Sequence, residues 1–184
     1  MNEVSDQVLI QKVVTLNCHD SFAGLVKRHQ SNLRYSLRQI TGWDQALADD
    51  IAQETFIKAY QSIGSFKGTA KFSSWLYRIA YNIFVSHFRV ARNREMTSSE
   101  AVLDHNRGVY LSESSDLHRD LAKALLNLPP KQRVALHLHL HKQLTHDEIC
   151  NIMEMPLGSV KTLITRGKKI LQDDLSSWKH GDPT

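Results

Sequence analysis

The chain has 184 residues, 41% of them apolar, and a formal charge of +4 at pH 7. That is enough apolar content for one globular domain or two small ones, with a mild lean toward an anionic partner. Two cysteines, Cys18 and Cys150, exclude a disulfide framework, and no CxxC pair offers a structural zinc site. The opening MNEVSDQVLI lacks a basic start leading into an apolar run, and no window reaches the ~18 apolar residues of a membrane span. The expectation is a cytoplasmic protein without membrane insertion.

Helical periodicity governs the first half. Val4, Val8, Leu9 and Val13 mark a short first helix, and Phe22, Leu25, Val26, His29, Leu33 and Leu37 mark a second that ends at Thr41-Gly42. Asp44 reads as the N-cap of a third helix running to about Ser62, with Ala48, Ile51, Ala52, Thr55, Phe56 and Ala59 as its apolar stripe. Gly64 and the loop Ser65–Lys71 interrupt the pattern. A fourth helix follows from about Ser73 to Arg92, with Trp75, Leu76, Ile79, Ala80, Ile83 and Phe84 on one side.

Composition changes over Glu95–Asp116, which carries five acids against one Arg and five serines. This segment is too polar to bury much and reads as a linker. Beyond it, Leu117, Leu121, Ala124, Leu125 and Leu128 form a stripe closed by Pro129-Pro130. Lys131–His141 contains a strict Leu-His alternation that is strand-like on its face. The absence of any partner strand, the flanking helices and the spacing of Val134, Leu138 and His141 favour helix. The fold class is all-α: two small helical domains joined by a flexible linker.

Thr145-His146-Asp147-Glu148 has the form of a capping box, a hydroxyl for one orphan N–H and a Glu three residues on to reach back. It opens a short helix through Ile149, Ile152 and Met153. A turn at Glu154-Met155 leads to Pro156, suited to the start of the next helix. That helix is read as burying Leu157, Val160, Leu163, Ile164, Gly167 and Leu171 and as showing Ser159, Lys161, Thr162, Thr165, Arg166, Lys168 and Lys169. Two short helices joined by a tight turn, the second polar and cationic, suit insertion into a DNA major groove.

The segment Ser65–Arg94 holds six Lys/Arg and no Asp or Glu, interleaved with Phe66, Phe72, Trp75, Tyr77, Tyr81, Phe84 and Phe88. Cations without acids attract phosphate, and flat rings offer surfaces for unstacked bases. Trp75 and Phe84 read as core by helical spacing. Phe66, Phe72, Tyr77 and Tyr81 read as candidates for strand contact.

Together the two halves resemble a bacterial RNA polymerase sigma factor of the extracytoplasmic-function (ECF) type, in the sigma-70 family. The pieces that carry the resemblance are Asp49-Asp50-Ile51-Ala52-Gln53-Glu54-Thr55-Phe56, Phe66-Lys67-Gly68, Phe72-Ser73-Ser74-Trp75-Leu76 and Ile79-Ala80-Tyr81-Asn82. In the second half they are Leu125-Leu126-Asn127-Leu128-Pro129, Arg133, Glu148-Ile149 and Gly158-Ser159-Val160-Lys161. The resemblance implies a σ2-like domain over 1–95, a linker over 96–115, a σ4-like helix-turn-helix domain over 116–178 and a disordered tail over 179–184. It implies docking on the largest-subunit coiled coil and the flap of core RNA polymerase, with Asp49, Asp50, Gln53, Glu54 and Lys58 on the docking helix. Lys67, Gly68, Thr69, Ala70, Lys71, Arg78, Asn82, Arg89 and Arg92 are the expected contacts to the −10 element, with a base pocket formed by 68–71 and the non-template single strand held there. Ser159, Lys161, Thr162, Thr165, Arg166 and Lys169 are the expected duplex contacts at the −35 element. An anti-sigma partner is also implied. Where the family commonly has an acid three residues before Arg, this chain has Ser86-His87-Phe88-Arg89, which removes a local salt bridge or an upstream-base contact.

Other signals point elsewhere or nowhere. His137 and His141 share a helical face, and His139 and His146 lie near, but HExxH is absent and no carboxylate or Cys is close in sequence, so a polar helix surface is the expectation and no metal is assigned. Cys18 beside His19 is not a dyad, because neighbours on a helix do not face each other. No nucleophile elbow, P-loop or dinucleotide fingerprint is present, so no catalytic residue and no cofactor are assigned, and the chain is not read as an enzyme. The alternative function is a stand-alone helix-turn-helix regulator with an N-terminal sensing or dimerisation domain.

Overall fold

The computed structural model describes residues 4–97 and 123–175, with side chains placed for all but 90–97. Helix α1 (Asp6–Leu16) starts at Ser5, whose hydroxyl accepts from the Val8 N–H, and stops at Asn17 in the left-handed region. Its buried residues are Ile10 and Val13. Val4 and Val8 are 46% and 43% exposed, so the inward stripe lies a third of a turn from the expected one.

Helix α2 (His19–Ile40) buries Leu25, Leu33, Leu37 and Ile40 along one face. The chain then turns through Gly42, whose φ of +70 suits a residue without Cβ. Helix α3 (Gln45–Ser62) is capped by the Asp44 carboxylate, which accepts from the Leu47 N–H at 2.9 Å. A 3-10 turn (Ile63–Ser65) and the exposed loop to Lys71 lead into α4 (Phe72–Thr97). Helix α4 therefore enters the expected linker. The rest of that linker and the expected tail at 179–184 lie outside the described residues.

In the second half, residues 123–127 are helical, followed by α5 (Pro130–Leu140), α6 (His146–Met153) and α7 (Leu157–Asp174). The Leu-His alternation is helical over 136–140, with His141 as the C-cap, because Val134, Ala135, Leu136 and Leu138 all find apolar partners in the bundle. All regular structure among the described residues is helical.

Two cores hold the molecule. Ile10, Val13, Leu25, Ala59, Ile63, Phe72 and Leu76 seat α1 on the base of the first unit. A larger core runs without interruption from Leu33, Leu37, Ile51 and Phe84 into Leu128, Val134, Leu138, Ile149, Met153, Val160 and Ile164. Helix α5 packs on α2, and α6 packs on α4. The two units thus share one interior.

Several expected placements shift for packing reasons. Phe72 and Tyr81, expected as strand contacts, are 3% and 6% exposed and belong to the cores. Trp75 is a half-buried rim residue packed on Phe66 and Phe72, at ring-centroid distances of 5.4 and 5.6 Å. Phe66 and Tyr77 stay half-buried. Leu157, expected inside, is 41% exposed, since the first turn of α7 projects beyond the bundle. His137, expected on a polar surface, is 7% exposed where α5 meets α2 and α4.

Candidate nucleic-acid interface

Helix α7 carries the most extended cationic face. Lys161, Thr162, Thr165, Arg166, Lys168 and Lys169 are exposed, and Ser159 is half-buried at the helix start. Among the described residues Lys161, Arg166, Lys168 and Lys169 form no salt bridge. The Thr162 hydroxyl donates back to the Gly158 carbonyl at 2.8 Å, which fixes its rotamer.

What aims this face is local chemistry. The Thr145 hydroxyl accepts from the Glu148 N–H at 3.3 Å, and the Thr145 N–H donates to Glu148 Oε2 at 2.9 Å, so the capping box is closed both ways. The Thr145 N–H holds the Glu148 carboxyl below its ordinary pKa. Glu154 adopts the left-handed region at φ 51 and ends α6, so the chain turns there before α7 begins. Gly167 lets α7 approach α5: a Cβ there would stand 2.6 Å from Leu136 Cδ1.

The second face is built around the loop before α4. Lys67, Gly68, Thr69, Ala70 and Lys71 are all exposed. Gly68, Ala70 and Lys71 line an open cleft of about 440 Å³ together with Phe66 and Phe72, while Thr69 is not among its walls. The opposite wall is Val4, Ser5, Asp6, Gln7 and Ile10 from the chain start, with Arg28 at one side. Sequence reading missed this wall. Its fixing contacts are long-range: Asp6 pairs with Arg28, and its other oxygen lies 2.8 Å from His29 Nε2. No short-range pattern announces pairs more than twenty residues apart.

Along α4, Asn82 and Arg89 are exposed, and Arg78 is half-exposed and paired with Glu154 of the C-terminal unit. The side chain of Arg92 lies outside the described residues. The loop cluster and the α4 cations therefore lie on one unit, and the α7 cations on the other.

The α3 face expected to dock carries fewer unpaired acids than its composition suggests. Asp44 is spent on the helix cap. Asp49 lies 3.6 and 3.9 Å from Arg34 and Arg38 of α2. Glu54 lies 2.8 Å from Lys58 and 3.7 Å from His87, and the Lys58 hydrogen bond foremost lowers its pKa. His87 thus occupies the neighbourhood of the departure Ser86-His87-Phe88-Arg89. What projects outward from α3 is Asp50, Gln53 and Ile57, the last 50% exposed. Ile57 was not among the expected docking residues. Its signal was available as an apolar residue off the buried stripe.

The histidines of α5 stack in pairs, His137 on His141 at 5.3 Å and His139 on His146 at 5.1 Å. Among the described residues no group of three His, Cys, Asp or Glu is arranged to hold a metal ion. Burial foremost, then the charges of His141 and Lys142, push His137 down to about 3. No described helix is long and apolar enough to cross a membrane.

Two cationic faces on a helical frame, one on a capped helix-turn-helix and one on a loop beside a cleft lined by Phe66 and Phe72, are of the kind that suits a nucleic-acid-binding protein. Comparison with known families makes the class specific. Residues 25–94 match the family described as Sigma-70 region 2, and residues 118–171 match Sigma-70, region 4. The ECF RNA polymerase sigma-E factor of Haemophilus influenzae is 31% identical, covering 94% of this chain and 96% of that protein. The ECF RNA polymerase sigma factor SigW of Bacillus subtilis is 32% identical over 89% of this chain and 94% of its own length. Among solved structures, the sigma factor RpoE of Bartonella quintana, in complex with the anti-sigma factor NepR, aligns with a TM-score of 0.72 at 27% identity, covering 84% of this chain and 96% of that one.

The chain belongs to the ECF family of RNA polymerase sigma factors, and its function is to direct promoter-specific transcription initiation.

Proposed function

We propose that the work is divided between the two units, the first (1–95) docking polymerase and capturing the opened −10 strand and the second (116–178) reading the −35 duplex. The observation that carries this reading is the presence of two cation-rich faces of different kind, one on each unit. Helix α7 offers a convex row of Lys161, Thr162, Thr165, Arg166 and Lys169 that fits a groove. The loop 67–71 borders a cleft lined also by Phe66 and Phe72, large enough for an unstacked base. Arg78, Asn82, Arg89 and Arg92 then hold the backbone of the captured strand.

Docking on the largest-subunit coiled coil of core polymerase falls to α3. Asp50 and Gln53 flank the exposed Ile57, an apolar centre with a polar rim. Asp49, Glu54 and Lys58 border it in ion pairs of their own and set its edge. The second unit engages the flap. The chain contributes binding and strand separation, and nucleotide addition stays with the polymerase. The bound NepR in the Bartonella relative supports an anti-sigma partner here as well. Work beside polymerase and DNA places the protein in the cytoplasm.

In vitro transcription with core polymerase and a promoter library tests the assignment. Promoter-specific runoff product that requires this chain, and that falls on substituting Lys71 or Arg89, is expected. Product that is insensitive to both substitutions, and to substitutions on α7, refutes the division of labour.

A further inference from the structure

The residues that wall the loop cleft from the chain start lie outside the matched family segment, which begins at residue 25. They are nonetheless held firmly. Ile10 and Val13 of α1 are buried in the core that also takes Ile63, Phe72 and Leu76. Arg28 of α2 donates from Nη1 to Asp6 and from Nη2 to the Val4 carbonyl at 2.8 Å, so one guanidinium ties both residues to α2. The second Asp6 oxygen lies 2.8 Å from His29 Nε2, and the His29 ring meets Phe72 edge to face with centroids 5.3 Å apart. Phe72 is the first residue of α4 and closes the loop 67–71. The wall and the loop are thus set against each other through Asp6 and His29.

The chemistry of this wall is uneven. Among the described residues Asp6 is the only carboxylate lining the cleft. The Ser5 hydroxyl is taken by the Val8 N–H, and the Arg28 fork by Asp6 and Val4. What stays open to a guest includes the second lone pair on each Asp6 oxygen and the Lys71 ammonium on the loop side. A bare acid would repel a nucleic acid, but Asp6 is ion-paired with Arg28, so a neutral base can approach it while Lys71 takes the phosphate. A carboxylate only accepts. Cytosine and adenine offer it an exocyclic amine, whereas thymine sets a carbonyl oxygen in the same place.

We propose that the chain-start wall makes the cleft selective, with the Asp6 carboxylate admitting an amino-bearing base, cytosine or adenine, and rejecting thymine. Arg28 neutralises that carboxylate and His29 orients it. The inference rests on the capture of the opened strand at loop 67–71 proposed above. It adds a specificity-determining residue that belongs to α1 and not to the loop or to α4.

The test uses holoenzyme assembled from core RNA polymerase and the full chain, with single strands of about twelve nucleotides made of cytidine, adenosine or thymidine alone. Fluorescence anisotropy reads the affinities, and circular dichroism of each free variant checks the fold. Native holoenzyme is expected to prefer the cytidine and adenosine strands to the thymidine strand. D6A should shrink that preference about fivefold or more, the scale of a lost base contact. D6N, whose amide donates as well as accepts, should move the preference toward thymidine. Uniform weakening of all strands by both variants means that Asp6 only holds α1 in place, and it overturns the proposal, as do native ratios in both. If D6A loses helicity, the near-isosteric D6N decides. K71A separates the proposal from the reading beneath it. Weakening of every strand by K71A, with native ratios in both Asp6 variants, removes the selectivity alone. Binding indifferent to K71A removes strand capture at the loop and the selectivity with it.

Discussion

Replacing Gly167 with alanine sets two well-characterised effects against each other. In a helix interior alanine is favoured over glycine by about 0.8–1 kcal/mol. Position 167 faces α5, however, and the new methyl would stand 2.6 Å from Leu136 Cδ1 and 3.1 Å from its Cγ. Leu136 is 1% exposed, so any movement of its side chain must displace neighbours in the core. Overpacking of this kind costs typically 1–3 kcal/mol, so G167A is expected to destabilise by up to about 2 kcal/mol despite its better propensity. The assay is urea unfolding of G167A, L136A and the double variant. L136A alone should cost about 2–5 kcal/mol for its cavity. On that background the clash is gone and the methyl fills part of the space, so G167A should stabilise by about 1 kcal/mol or more. A change of sign between backgrounds is the signature of the α5–α7 approach. If G167A stabilises the native chain, or has the same effect in both backgrounds, the close approach does not control this interface.

Three further outcomes are expected. K161A or R166A should each weaken binding to a −35 duplex by about 1–3 kcal/mol if a base contact is lost, read by fluorescence anisotropy; an unchanged footprint means the reading face lies elsewhere on α7. I57A should lower core-polymerase affinity by ~1–2 kcal/mol of apolar burial, and D50K should lower it further, with helicity intact in both; equal capture of both variants by immobilised core polymerase removes α3 as the docking face. His137, near 6.5 when solvated and pushed to about 3 in the core, contributes stability that is complete above pH 6.5 and drains as the pH falls toward 3. At pH 5 the loss is about 2 kcal/mol, so H137L should flatten the acid limb of a stability–pH curve, and an unchanged limb assigns it to other groups.

The element order was legible in the sequence because it depends on short-range chemistry. The Asp44 cap, the Thr145–Glu148 box and the break at Thr41-Gly42 each act within a few residues, and each stands where the pattern put it. The Leu-His alternation was resolved as helix only because no partner strand existed, a global argument about a local ambiguity. What failed were judgements about which face another helix covers, within the first unit for Phe72 and at the boundary between the units for Tyr81 and His137. Phe72, Tyr81 and His137 carry polar or aromatic surface that suits solvent or DNA, and nothing nearby in sequence says that another helix covers them. The pairing of Asp49 on α3 was hidden for the same reason: its partners Arg34 and Arg38 sit on α2. The α1 wall of the cleft depends on Asp6 meeting Arg28 and His29, again a long-range event.

The pairing of Asp49 with Arg34 and Arg38, and of Glu54 with Lys58, has a consequence for ionic strength. Charges already balanced within the protein release few counterions when a partner arrives, so docking through Ile57, with Asp50 the charge left unbalanced among the described residues, should vary only weakly with added salt. The α7 face is the opposite case, because Lys161, Arg166, Lys168 and Lys169 are exposed and form no ion pair with the described residues. Each phosphate they neutralise adds about −0.9 to the slope of log affinity against log salt. Rising salt should therefore strip the factor from duplex DNA well before it leaves the polymerase, which gives the bound enzyme a range of conditions in which it carries its specificity subunit while sampling DNA only weakly.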